Sequence, residues 1–227
     1  MKKIGMLVAV EINAVLKKYE GSLTRIPAKG FDIQLYKDKD YEIFILKSGA
    51  GQVAAASGTQ YLISNFDVEM IINYGVVGGL TEEMGTCKTC IVEKAVHYDF
   101  DTSAIDNCEV GRYIDLPSLY LYPSAELINL ATSIHPEMKS VICASGDKFV
   151  ADAKQKEDLH NKFNADICEM EAAAIILTSN RNDVPCILIK TVSDSITGGA
   201  DEFLERINDT ADICLEIADK IIKNMVK

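Results

Sequence analysis

The chain has 227 residues, 48% of them hydrophobic, enough to bury the core of one sizeable α/β domain, and no apolar run reaches membrane-spanning length. A net charge of −11 argues against binding a phosphate backbone, which needs clustered Lys and Arg. Seven cysteines form an odd set, several of them in apolar segments, and read as reduced intracellular thiols; the single Cys87-x-x-Cys90 pair lacks the second pair that a zinc site requires.

Residues 3–10 read as an apolar first strand rather than a signal peptide, because Glu11 interrupts the run and no small-residue cleavage site follows. The expectation is a cytoplasmic protein. Residues 11–19 carry helical spacing, and 31–37 and 41–47 alternate as a hairpin through Asp38-Lys39-Asp40. Ser48-Gly49-Ala50-Gly51 leads into a small-residue helix over 53–66. A buried strand at 70–74 is expected to close in a glycine turn at 75–79, and a strand at 91–98 ends in the acidic His97-Tyr98-Asp99-Phe100-Asp101. Residues 102–123, with Pro117 and Pro123, lack periodicity and read as a long loop, a length that tends to be functional. A helix at 125–134, a strand at 140–144, a turn at Ser145-Gly146-Asp147 and a polar helix at 151–163 follow.

The stretch 168–195 organises the rest. Glu169-Met170-Glu171 runs into the helix-forming AAAIIL, and after a turn at 180–183 an apolar strand at 185–190 ends in Thr191-Val192-Ser193-Asp194. The last helix, 201–225, has one apolar stripe through Phe203, Ile207, Ala211, Cys214, Ile217, Ile221 and Met225. Alternating strands and helices without a linker imply one domain over residues 1–227, with a largely parallel sheet covered on both faces.

Ligands of open α/β sheets bind beyond the carboxyl ends of the strands. Glu171 at a helix start and Asp194 just past a strand end can therefore be neighbours in one crevice despite their distance in sequence. Two acids in different surroundings suit acid-assisted cleavage of a sugar bond. Taken singly, Glu169 and Glu171 also fit the first turn of a helix, and Asp194 a cap. Gly49-Ala50-Gly51-Gln52-Val53-Ala54 matches G-x-G-x-x-A, but it follows a later strand, and the next strand ends in Asn73-Tyr74 without a ribose-binding acid. A close-packed turn is the better reading than a nicotinamide site. There is no P-loop, no G-x-S-x-G elbow and no metal-spaced pair among His97, His135 and His160, so no cofactor and no metal is expected.

Several blocks recur in one order across nearly the whole chain: Lys3-Ile4-Gly5 with Ala9-Val10-Glu11, the segments 47–56 and 71–80, Asp99-x-Asp101, Ser145-Gly146-Asp147-Lys148-Phe149, Glu169-Met170-Glu171-Ala172, Val192-Ser193-Asp194-Ser195 and Asp201-Glu202-Phe203-Leu204. Together they resemble the nucleoside phosphorylase/hydrolase superfamily, and within it the methylthioadenosine/S-adenosylhomocysteine nucleosidases. The resemblance implies a three-layer α/β/α fold with a mixed, largely parallel central sheet, a homodimer, and hydrolysis of the N-glycosidic bond of an adenine nucleoside in nucleoside metabolism and methionine salvage. By position, Asp194 would protonate adenine N7 and Ser193 would orient it. Phe149 would stack on the purine and the Val150 backbone would read its edge. Met170 would pack on the ribose, Glu171 would accept its hydroxyls, and Glu169 and Val76 would complete the binding set.

Those roles are chemically coherent. Adenine leaves poorly until N7 is protonated, so the acid must hold a proton near neutral pH, which burial can arrange. A fixed carboxylate stabilises the sugar as it gains positive charge.

Four positions depart from the family pattern. Asn13 stands where the family carries the Glu that deprotonates the attacking water, which an amide cannot do, and Glu11 is not expected to substitute. Val76 replaces a small hydroxyl residue, Ala200 an aromatic of the 5′ pocket, and Ala50 a larger apolar residue near the dimer interface. A phosphate-dependent phosphorylase would need arginines, and none of Arg25, Arg112, Arg181 and Arg206 falls in a matching block, so hydrolysis is favoured. The alternatives are phosphorolysis and a catalytically impaired nucleoside-binding homologue.

Overall fold

The computed structural model describes residues 1–225. In chain order the elements are β1 (Lys2–Val8), α1 (Ile12–Lys18), β2 (Leu23–Ile26), β3 (Asp32–Lys37), β4 (Tyr41–Lys47), α2 (Gln52–Phe66), β5 (Met70–Gly79), β6 (Thr89–His97), α3 (Ser103–Asp106), α4 (Ala125–Ile134), β7 (Lys139–Ser145), α5 (Ala153–Phe163), β8 (Ile167–Glu169), α6 (Ala172–Arg181), β9 (Cys186–Asp194) and α7 (Ala200–Met225).

The nine strands run β2-β3-β4-β1-β5-β8-β7-β6-β9, and β9 returns to pair with β5. The sheet is mixed, with five parallel pairings and four antiparallel ones. Its closure departs from the expected open three-layer arrangement: β5, β8, β7, β6 and β9 form a barrel from which β1, β4, β3 and β2 extend as a flange.

The cause lies in β5. Met70 to Asn73 pair with β1, residues 71–78 pair with β9, and Gly78 and Gly79 turn to β8, across a bulge between Val77 and Gly78. A bulge bends its strand and sharpens the local twist, which brings a sheet round on itself. Residues 75–79 are therefore strand, not the turn their glycines suggested.

Strand alternation divides the core between the two faces. Ile4, Met6 and Val8 of β1 pack with Val15 of α1, Leu127 of α4 and Leu215 of α7. Leu7 points the other way, among Leu62 of α2 and Ile175 and Ile176 of α6. The long segment 102–123 contains only the single turn α3; it is held by Leu121 bridging Ala95 and by Tyr113 stacked 4.4 Å from Phe100. No helix among the described residues is long and apolar enough to cross a membrane.

Candidate active site

The carboxyl ends of β1, β5, β8 and β9 converge on a cavity of about 360 Å³, lined by Glu11, Val76, Gly78, Phe149, Met170, Glu171, Ser193, Asp194, Phe203 and Ile207 among others. A shallow recess of about 30 Å³ adjoins it, walled by Val150, Lys148 and Gly78 beside Asp194. Phe149, the wall expected to face a flat base, meets Phe203 edge-on at 5.1 Å.

Four acids reach this cavity, and they divide into two kinds. Asp194 and Glu169 are neutralised by lysines buried with them: Lys156 Nζ lies 2.6 Å from Asp194 Oδ2, and Lys190 Nζ lies 3.0 Å from Glu169 Oε2. Glu11 and Glu171 have no such partner and are held by backbone N–H groups. Val76 N donates to Glu11 Oε1 and Val10 N to Oε2, each at 2.9 Å, while Gly51 N donates to Glu171 Oε1 at 2.8 Å. The lining thus presents two carboxyl groups with no directly paired cation in a largely apolar pocket, and when ionised they favour positive charge developing on a bound molecule.

Their protonation differs accordingly. Burial, then the charge of Glu169, pushes the Glu171 carboxyl up to about 7, against the pull of Lys190 and the Gly51 N–H, with Glu11 adding to the rise. Burial alone would raise Glu169 too, but the Lys190 charge and the hydrogen bonds it accepts hold it below the ordinary carboxylate range. Burial would lower Lys190, yet Glu169 and Glu171 raise it, so this pair is ionised.

The glycines of β5 make room for these acids. A Cβ on Gly75 would stand 2.9 Å from Glu11 Oε1, and one on Gly78 would stand 3.1 Å from Asp194 Oδ2. The Gly49 to Ala54 match resolves in the same way. The N-terminus of α2 is closed by side chains, with Gly51 N donating to Glu171 and Gln52 N to Asp147 at 2.6 Å. Gln52 also staples α2 to α6 and β7, accepting from Ala174 N and donating to Ser145 Oγ, each at 2.8 Å.

Of the residues singled out from the sequence, Asp194, Glu171, Ser193, Phe149, Met170, Val76 and Glu169 come together in the cavity, and Val150 lines the adjoining recess. Ser193 Oγ donates to Asp194 Oδ1 at 2.8 Å. Glu169 lines the wall, but its carboxylate accepts from Lys190 and from Glu171 N and Ala172 N, capping α6. Asn13 is not brought in. It is exposed on the first turn of α1, beside a neighbouring cavity with Lys17 and Asp212 that meets the first one at Val10, Glu11 and Ile207.

Glu11 enters instead. β1 ends three residues before it, at Val8, and Glu11 precedes α1, so its side chain turns back over β5. Likewise Ala200 is exposed, and the aromatic wall comes from Phe203, one helical turn further on. His97 lies outside the cavity, with Nδ1 2.7 Å from Tyr113 Oη and Nε2 3.1 Å from Asp99.

Sequence reasoning missed Lys156 and Lys190. Each is a lone cation on an otherwise apolar face, Lys190 within Cys186–Asp194 and Lys156 on the side of α5 that carries Phe163. Fully buried lysines are rare without an acid partner, and that is the signal that would have found them.

Residues 3–227 match the family model described as the Phosphorylase superfamily. The chain belongs to that superfamily. The aminodeoxyfutalosine nucleosidase of Helicobacter pylori strain J99 is 31% identical over 100% of this chain and 99% of its own length. The 5′-methylthioadenosine/S-adenosylhomocysteine nucleosidase of Halalkalibacterium halodurans is 36% identical, covering 79% of this chain and 81% of itself. Among solved structures, the native futalosine hydrolase of Helicobacter pylori strain 26695 superposes with a TM-score of 0.92 at 26% identity, over 98% of this chain and 97% of that one. A 5′-methylthioadenosine/S-adenosyl homocysteine nucleosidase from Campylobacter jejuni gives 0.89 at 26% identity, over 98% and 99%.

Proposed function

We propose that this enzyme hydrolyses the N-glycosidic bond of an adenine nucleoside with an extended 5′ substituent, the class that includes methylthioadenosine, S-adenosylhomocysteine and aminodeoxyfutalosine. That it is an N-glycosidase of the nucleosidase kind follows from its superfamily and its nucleosidase relatives. The observation that carries the rest is the division of the four acids. The neutralised Asp194–Lys156 pair suits the leaving base, which needs a proton, and the uncompensated Glu11 and Glu171 suit the sugar, which becomes cationic.

In this reading the purine lies against Phe149 with its N7 toward Asp194, which Ser193 orients. Glu171, once ionised, accepts the ribose hydroxyls, and Met170 packs on the sugar. Phe203 and Ile207 wall the 5′ group. Glu11 takes the place left by Asn13 as the base that removes a proton from the attacking water; its two anchoring N–H bonds leave lone pairs free to do so. That carboxylate in the cavity supports turnover rather than an impaired binder. The lining of the cavity contains no arginine, which supports water rather than phosphate as the nucleophile.

The reading treats residues 1–227 as one catalytic unit in the cytoplasm, working as a homodimer, a state that light scattering of the purified protein tests. Incubation with methylthioadenosine, S-adenosylhomocysteine, aminodeoxyfutalosine and inosine, with and without phosphate, tests the function. Adenine release without phosphate is expected; strict phosphate dependence, or preference for inosine, would overturn it.

A further inference from the structure

The proton that the base needs is not where an unaided carboxylic acid would keep it. Both oxygens of Asp194 already accept hydrogen bonds, Oδ1 from Ser193 Oγ at 2.8 Å and Oδ2 from Lys156 Nζ at 2.6 Å. Asp194 and Lys156 are 1% and 0% exposed, so the ion pair is buried at the cavity wall. An anion in this setting has no proton to give, and the nearest transferable one sits on the ammonium. Lys156 is also fixed along its remaining donors, to Ser195 O at 2.6 Å and Gly198 O at 3.0 Å, the loop that leads into α7 and Phe203.

We propose that Lys156 is the positioning residue for the acid and the store of its proton: the ammonium passes a proton to Asp194 as Asp194 passes one to the purine. The inference rests on the nucleosidase reading above. The N–H bond of Lys156 breaks with its electron pair staying on Nζ, and Oδ2 of Asp194 gains that proton. The purine nitrogen takes a proton from Asp194 as the electron pair of the glycosidic bond departs with the base. The base leaves neutral, Asp194 ends as a carboxylate and Lys156 as an amine. The proton removed from the attacking water by Glu11 balances the one spent, and exchange with solvent resets the pair after product leaves.

Two features of the fold fit a relay rather than a scaffold alone. Gly78 keeps β5 bare where the pair meets, since its Cβ would stand 3.1 Å from Asp194 Oδ2 and 3.6 Å from Lys156 Nζ. The other titratable groups around the pair are Cys168 and Glu169 of β8, Glu202 of α7, and Lys148 on the wall of the adjoining recess, whose exposed Nζ donates to Gln155 Oε1. Burial pushes the Cys168 thiol up to about 12, Glu169 is spent on Lys190, and Glu202 accepts from Ser195 N and lies 3.8 Å from Arg206. None of them is placed to reload Asp194.

The test compares wild type with K156M, K156Q and K156R on two substrates. One is methylthioadenosine, whose base needs a proton; the other is a 4-nitrophenyl riboside, whose phenolate does not. General acid catalysis is worth about 100-fold or more, so on the alkaline side of the pH profile kcat on methylthioadenosine should fall by at least about that factor in K156M and K156Q, with a loss of less than about threefold on the nitrophenyl riboside. The alkaline limb of the pH profile should move toward lower pH once the lysine is gone. K156R should remain as impaired as K156M, because a guanidinium keeps the charge and the pairing but does not release a proton. Thermal melting and adenine titration establish that each variant folds and binds, and if K156M does not fold, K156Q and K156R give the same comparison. Recovery in K156R to within about threefold of wild type, equal losses on both substrates, or superimposable pH profiles would overturn the proposal. Failure of wild type to release adenine would instead overturn the nucleosidase reading itself.

Discussion

Replacing Glu11 by Gln and, separately, Asn13 by Glu decides which residue prepares the water. Glu11 Oε1 and Oε2 accept from Val76 N and Val10 N at 2.9 Å each, so the carboxylate is fixed within the cavity, while Asn13 is exposed on α1. Losing a general base slows the chemical step by about 10²–10⁴, equivalent to roughly 3–5 kcal/mol of barrier. The amide of E11Q also sets its NH₂ against one of the two N–H donors, leaving a buried donor unmatched at a cost of about 1–3 kcal/mol of stability. The assay is continuous adenine release from methylthioadenosine well below the lower of the two melting temperatures. The expected result is a loss of at least about 100-fold in kcat for E11Q, little change in KM, and N13E within about twofold of wild type. Near-normal turnover in E11Q, or a gain of activity in N13E, would refute the placement of the base.

Three further outcomes follow from the same geometry. The Glu171 carboxyl, pushed up to about 7 by burial, holds a proton in the folded state that the unfolded chain releases near the ordinary glutamate value of 4.5, so stability falls as pH rises across that window by roughly 3 kcal/mol. Denaturant melts of E171Q should therefore show a flatter pH dependence between about 4.5 and 7, while its kcat/KM should lose the rise through neutrality that ionised Glu171 confers. K190M should destabilise the fold by about 3–5 kcal/mol, read in urea, because it strands the buried Glu169 charge and with it the cap of α6. F203A should raise KM about tenfold with kcat nearly unchanged, about 1.4 kcal/mol of uniform binding, because Phe203 lines the cavity edge-on to Phe149.

Much of the fold was legible because its signals are local. The 31–37 and 41–47 hairpin, the small-residue helix after Gly51 and the amphipathic α7 all lie where period and turn chemistry placed them. Closure of the sheet was not legible, since it depends on β5 exchanging β1 for β8 across a bulge, a long-range pairing that leaves no periodic trace. The glycines at 75–79 misled for a related reason. Gly75 and Gly78 give steric room to Glu11 and Asp194, which a single sequence cannot separate from a turn.

The same contrast holds for the candidate site. Asp194 and Glu171 were legible as strand-end and helix-start acids, and the structure brings both into one cavity. Glu11 was passed over because positional matching pointed to residue 13, whereas the backbone between β1 and α1 decides which side chain turns inward. The partner of Asp194 was not legible either: Lys156, 38 positions earlier, lies 2.6 Å from it. A lysine in a polar helix looks like surface until its neighbours are known.

The most direct test of the central claim is turnover of methylthioadenosine in ¹⁸O-labelled water containing phosphate. The account predicts free adenine without label and a ribosyl product carrying one labelled oxygen on the carbon that held the base. Unlabelled sugar phosphate, or no released base in the wild-type enzyme, would contradict it.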